Sequence, residues 1–196
     1  MGDRRGLSRT PGSDDPRGWV AFVAETRALV GALDPVALMA LAPDRFAEVI
    51  VGAASHQLAT PEEPGAWSLN EVLAHLADVE LAWGFRLRQT LTSPSHVMDG
   101  FDQGAWATRL HYRELDAHES LALFGAQRRR NVGIWRSLTD ADWAREARHS
   151  QRPGGESLRA IATLIAGHDI RHLRQAVRLR GALGLSPVQG GEHTTW

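Results

Sequence analysis

Apolar residues recur at steps of three and four along most of the chain, the signature of amphipathic helices. Trp19, Phe22, Val23, Leu29 and Val30 predict a helix over 18–33, which Pro35 interrupts or restarts. A further helical piece is expected over 44–54. Thr60-Pro-Glu-Glu-Pro-Gly reads as a loop. Ser68-Leu-Asn-Glu71 then has the spacing of a capping box and opens a helix running to about Thr92, with an apolar stripe at Val72, Leu76, Val79, Trp83 and Leu87. A long connection follows, with a short helix around Trp106. A third long helix is predicted over 117–138, with Phe124, Gln127, Asn131, Ile134 and Leu138 on one face. Thr139 starts a short helix through Trp143, and Arg152-Pro-Gly-Gly is a turn. The last long helix is predicted over 157–180, with Gly181 as its C-terminal cap. No strand-like alternation of useful length and no internal repeat is visible. Four amphipathic helices with long connections predict an all-α bundle. Residues 1–16 and 185–196 are expected to be a disordered N-terminal tail and a loose C-terminal tail around one domain at 17–184.

Composition narrows the chemistry. The 196 residues fit one domain able to bury a sizeable core. The chain has no cysteine, and all 22 basic residues are arginine. Disulfides, thiolate metal sites, a cysteine nucleophile and lysine Schiff-base chemistry are therefore absent. A net charge of −1 gives no general field for nucleic acid or anionic membrane, so neither is expected as a partner. No apolar run approaches the ~18 residues of a membrane span, and 1–17 has no apolar signal core, so a cytoplasmic location is expected.

The candidate chemistry lies in three histidines. His168 and His172 stand at i and i+4, about 40° apart around a helix and one turn apart along it, so their rings can converge. They continue the stripe Leu158, Ile161, Ile165 that ends in Gln175 and Leu179, and so face the interior. Interior imidazoles need partners, either hydrogen bonds or a metal ion. His75 lies at the edge of the second helix's stripe, with Asp78 and Arg86 continuing its line. Three imidazoles from two helices would make the half-open shell of a catalytic metal site, and imidazole suits zinc, nickel, copper and iron alike. Asp78 and Arg86 read either as an imidazole-orienting carboxylate and an anion-binding guanidinium, or as an ion pair filling the bundle edge. Gln127 and Asn131 read as pocket lining or as interhelical hydrogen bonds. Arg128-Arg-Arg130 reads as a solvated face.

The segment Trp67-Ser-Leu-Asn-Glu71-Val-Leu-Ala-His75-Leu-Ala-Asp78, with Arg86 downstream, resembles the second-helix signature of the DinB/YfiT-like metalloprotein superfamily. His168-Asp-Ile-Arg-His172-Leu-Arg-Gln175 is similar to its fourth-helix signature, and Phe101-Asp102-Gln-Gly-Ala-Trp106 to its interhelical loop. The resemblance spans about 19–183. It implies an up-down-down-up four-helix bundle with short accessory helices, and a zinc or nickel site on His75, His168 and His172. It also implies a possible homodimer and, for members of known activity, transfer chemistry on low-molecular-weight thiols.

Two functions follow as expectations. One is a metal-dependent thiol S-transferase or related transferase or isomerase acting on a small molecule. In it Arg86, or an arginine of the third helix, holds a carboxylate, Asp102 acts as base or orients a ligand, and Asp78 and Gln175 support the metal ligands. The other is a non-catalytic, metal-stabilised bundle of stress-response or small-molecule-binding type.

Overall fold

A computed structural model describes residues 16–93, 96–150 and 154–188; the two expected tails lie largely outside these segments. Eight α-helices are present among them: α1 (Pro16–Ala28), α2 (Pro35–Ile50), α3 (Ser55–Leu58), α4 (Leu69–Thr92), α5 (Gln103–Arg109), α6 (Ala117–Arg136), α7 (Asp140–Trp143) and α8 (Leu158–Ala182). Helices α2, α4, α6 and α8 form the bundle. Helix α4 packs chiefly on α6 and α8 chiefly on α2, while α2 also meets α6 and α4 meets α8. Cross-helix contacts give the directions. Phe46 meets Phe124 and Met39 meets Arg128, so α2 and α6 are antiparallel. Gln127 meets Ala77 and Asn131 meets Glu80, so α4 and α6 are parallel. Arg180 reaches the Val49 carbonyl, far along both α2 and α8, which run parallel. The order is up-down-down-up.

Local signals explain most helix starts. Ser68 and Glu71 form the expected capping box, with the Glu71 carboxylate accepting from the Ser68 amide at 2.8 Å. Asp34 caps α2 by accepting from the Val36 amide at 2.9 Å, with Pro35 in the first turn, where its missing N–H costs nothing. Helix α2 therefore begins nine residues before the expected 44–54 piece and runs through Pro43. An interior proline costs about 3 kcal/mol. Here Val36, Met39, Ala42, Phe46, Val49 and Ile50 are buried, and this apolar face outweighs the cost. At the far end α8 passes through Gly181, and Gly184 takes the left-handed φ of 69° instead of the expected Gly181 cap.

The structure also holds strands that the sequence reading did not foresee: β1 (Val97–Met98), β2 (Glu146–His149) and β3 (Gly155–Ser157). β1 pairs parallel with β2, and β2 antiparallel with β3. Only Ala147 and His149 of β2 turn inward, so the period-two signal was too weak to read. This small sheet bridges the long connections and brings His149 to the bundle. Helix α1 lies against α8. There Gly167 passes so close to the Thr26 carbonyl that a β-carbon would stand 2.0 Å from that oxygen. Only glycine allows this approach, next to His168. Among the described residues no helix is long and apolar enough to cross a membrane.

Candidate metal centre

Helix α4 carries His75 into the interior at 1% exposure, while α8 carries His168 and His172, both half-buried. Their Nε2 atoms converge. His75 Nε2 lies 3.3 Å from His168 Nε2, and His172 Nε2 lies 3.2 Å from His168 Nε2. One ligand atom from each residue fits within 4.8 Å of the others. Two ligands of a tetrahedral ion with ~2.0–2.1 Å bonds stand roughly 3.3–3.4 Å apart, so the spacing fits one divalent ion. Gln175 supports the arrangement: its Oε1 lies 2.9 Å from His172 Nδ1 and accepts that proton, leaving a lone pair on Nε2. Trp67 packs on the His75 ring at 4.9 Å and stacks on the His172 ring at 6.4 Å.

All three rings are held neutral. Burial lowers His75 well below the usual histidine value, with His172 adding to the effect. Burial lowers His168 as strongly, aided by the other two rings, Arg128 and Arg171. Burial lowers His172 to about 4, against the opposing bond to Gln175. Neutral imidazoles are the form that ligates metals. Three ring nitrogens converge where protonation is disfavoured, so the donor set fits a metal ion.

The other anticipated residues are more dispersed. Arg86 lines the same pocket as His168, a cavity of about 60 Å³ whose walls include Trp19, Phe22, Trp83 and Phe101. Its guanidinium stacks 4.8 Å from the Trp83 ring and 5.4 Å from Phe101, and it donates to the Asp99 carbonyl. Asp78 takes a 2.5 Å hydrogen bond from the Tyr112 hydroxyl rather than orienting an imidazole. Burial and that bond push the tyrosine's pKa up, so it stays a donor. Asp102 is exposed and caps α5, accepting from the Ala105 amide at 2.9 Å; its neighbours Phe101 and Gln103 line the pocket.

On α6 the buried face is rotated from the expected stripe: Phe124, Arg128, Asn131 and Trp135 point inward, and Gln127, Ile134 and Leu138 flank them. Asn131 makes interhelical hydrogen bonds, donating to Glu80 at 2.7 Å and accepting from Arg88 at 2.8 Å. Arg129 and Arg130 are solvated as expected, but Arg128 is not. It is 3% exposed and donates to Glu80 at 2.9 Å, to both oxygens of Asp169 and to the Met39 carbonyl at 3.1 Å. Two carboxylates drew it inside. Burial alone would lower the guanidinium's pKa, but Asp169 and Glu80 hold it above its usual value. Burial, opposed by Arg128, pushes the Asp169 carboxyl up to about 6. The sequence reading missed this cluster and also missed His149, an 8% exposed residue of the pocket wall. A signal for Asp169 existed: it falls in the apolar stripe Ala162, Ala166, Leu173, Ala176. His149 had none, because its place depends on the strand pairing.

The chain is similar to known proteins whose names carry metal dependence. A protein of Geobacillus thermodenitrificans, provisionally named a metal-dependent hydrolase, is 25% identical over 172 residues, covering 88% of each chain. YfiT of Bacillus subtilis, named likewise, is 26% identical over 144 residues, 74% of this chain and 81% of its own. A Bacillus licheniformis protein of the same naming is 32% identical over 124 residues, 60% of this chain and 69% of its own. The solved structure of YfiT, described as having an unusual four-helix bundle topology, superposes with a TM-score of 0.73 at 24% identity, covering 78% of this chain and 87% of that one. Residues 38–176 match the DinB superfamily, to which the chain belongs.

Proposed function

We propose that the protein is a metal-dependent enzyme acting on a small electrophilic substrate, with zinc or nickel held by His75, His168 and His172. The observation that carries this reading is the convergence of three neutral Nε2 atoms beside a pocket that also contains an arginine. A divalent ion bound there would supply the nucleophile, by lowering the pKa of the water or thiol it carries. The chain itself offers no cysteine or lysine for the task.

The residues around the ion have separate roles. Gln175 fixes the tautomer of His172, and Trp67 covers two of the rings, excluding water from that side. The Arg86 guanidinium lies over the Trp83 ring at 4.8 Å and over the Phe101 ring at 5.4 Å. There it can bind a substrate carboxylate against the aromatic wall. His149, on the same wall, can exchange a proton with the substrate or leaving group. Asp102 caps α5 and thereby places Phe101 and Gln103 at the pocket wall.

Water as nucleophile gives hydrolysis, the activity in the relatives' names. A low-molecular-weight thiol gives S-transfer, the activity implied by the sequence motifs. Zinc- or nickel-loaded protein and its His75→Ala variant would be assayed with a chromogenic carboxylate-bearing ester, and with glutathione or cysteine plus an aryl halide. A rate that depends on both metal and His75 in either assay supports the reading and names the nucleophile. Equal rates for the two proteins in both assays would refute an enzymatic role and leave a metal-stabilised binding bundle.

A further inference from the structure

We propose that Arg128 is a positioning residue for the metal centre: it braces the two ligand-bearing helices, α4 and α8, against each other so that His75 and His168 meet. This rests on the metal reading above and goes beyond it, because Arg128 belongs to a helix that contributes no ligand.

The problem Arg128 solves is geometric. A three-histidine site needs α4 and α8 fixed in height and in rotation to a fraction of an ångström. Yet α4 packs chiefly on α6, and α8 chiefly on α2. Apolar packing is non-directional and tolerates small slides and rotations. A guanidinium is planar and presents its donors in a rigid fork, so its bonds fix direction as well as distance.

The bonds of Arg128 go where such a brace needs them. Its Nε donates to Glu80 of α4, five positions after His75. Its two terminal nitrogens grip both oxygens of Asp169 of α8, the residue that follows His168. One of them also donates to the Met39 carbonyl of α2. From α6, one side chain thus reaches the other three bundle helices, and one of its carboxylate partners, Asp169, adjoins His168 in sequence. Glu80 is in turn fixed by Asn131 at 2.7 Å, and Asn131 by Arg88 at 2.8 Å. Asn131 packs over Gly84, where a β-carbon would come within 2.5 Å of its amide nitrogen, so the support continues along α4. The Arg128 guanidinium also lies 4.7 Å from the Phe124 ring, which limits its own movement.

Stability alone does not explain such a cluster. A buried charged triad can often be replaced by apolar residues of similar volume with no loss of stability. What the apolar version lacks is directional registry.

The test separates registry from stability. Cobalt(II) is loaded into wild type, into the charge-free Glu80→Leu/Arg128→Met/Asp169→Leu protein and into Arg128→Lys. Affinity is read by chelator competition, and ligand geometry by the visible absorption of the bound ion. The expected result is a folded triple variant with a melting temperature near wild type, a cobalt Kd weakened tenfold or more, and altered absorption bands. Arg128→Lys keeps the charge but not the fork, and is expected to lose affinity several-fold with unchanged helicity. It decides the matter alone if the triple variant does not fold. Wild-type cobalt affinity and spectrum in the folded variants would overturn the proposal. Failure of wild type itself to bind cobalt would instead overturn the metal reading on which the proposal rests.

Discussion

Two polar clusters lie in the interior of this bundle, and they answer burial in opposite ways. Around Arg128 every charge meets its complement: one guanidinium, two carboxylates, a backbone carbonyl and an asparagine close the set. Around His168 three ring nitrogens meet, and the pKa values of the rings are all lowered by desolvation. The first cluster is complete within the chain. The second offers three nitrogens that fit a shared cation. A buried polar group must be satisfied: the Arg128 cluster meets that need within the chain, while the histidine cluster has the donor set to meet it with a cation.

The largest expected effect is on the Arg128 cluster. Arg128→Met leaves two carboxylates buried without their cation and should cost about 3–5 kcal/mol, read as a fall in the urea midpoint of metal-free protein. A loss below ~1 kcal/mol would mean that the cluster is not closed. The imidazoles should behave differently. His75→Ala should change metal-free stability far less, but it should abolish stabilisation by the ion. At an ion concentration of about 100 times Kd that stabilisation is about 2.7 kcal/mol. Thermal melts with and without zinc, on wild type and variant, read both halves of this statement.

The pH response of metal-free protein sharpens the contrast. His172 titrates near 4 when folded, and near 6.5 when unfolded. Between those values the unfolded chain binds a proton that the folded chain refuses, so stability falls as pH drops from 6.5 toward 4. His75 and His168 act with the same sign. Asp169 acts oppositely: its carboxyl is raised to about 6 in the folded state, so it gains relative stability as pH falls through that value. Removing all three histidines should therefore flatten or reverse the acid slope of the melting temperature. An unchanged slope would show that the rings do not sit neutral in the interior. The smallest effect belongs to the support of one ligand. Gln175→Ala should weaken metal affinity by roughly tenfold, about 1.4 kcal/mol, with little change in metal-free stability.

The same contrast explains what could be read before the fold was known. The three converging histidines were legible because a helix repeats its face every three or four residues, and His168, His172 and Gln175 continue an apolar stripe. The Ser68–Glu71 box was legible because capping is local. Arg128 was not, since a run of three arginines reads as solvated unless the carboxylates that meet it on two other helices are known. Helix α2 was expected only from 44, because its course through Pro43 depends on the apolar face buried against α6 and α8. The place of His149 depended on a pairing between distant segments, Met98 with His149. Asp102 looked chemical because a carboxylate beside an aromatic loop is ambiguous until its capping bond is seen.

The central claim is that three imidazoles from two helices share one divalent ion. Elemental analysis of protein purified without added metal, compared with the His75→Ala/His168→Ala/His172→Ala protein prepared in parallel, tests it most directly. The account predicts close to one zinc or nickel per wild-type chain and essentially none in the variant. Equal metal content in the two proteins, or none in wild type even after incubation with zinc and nickel, would contradict it.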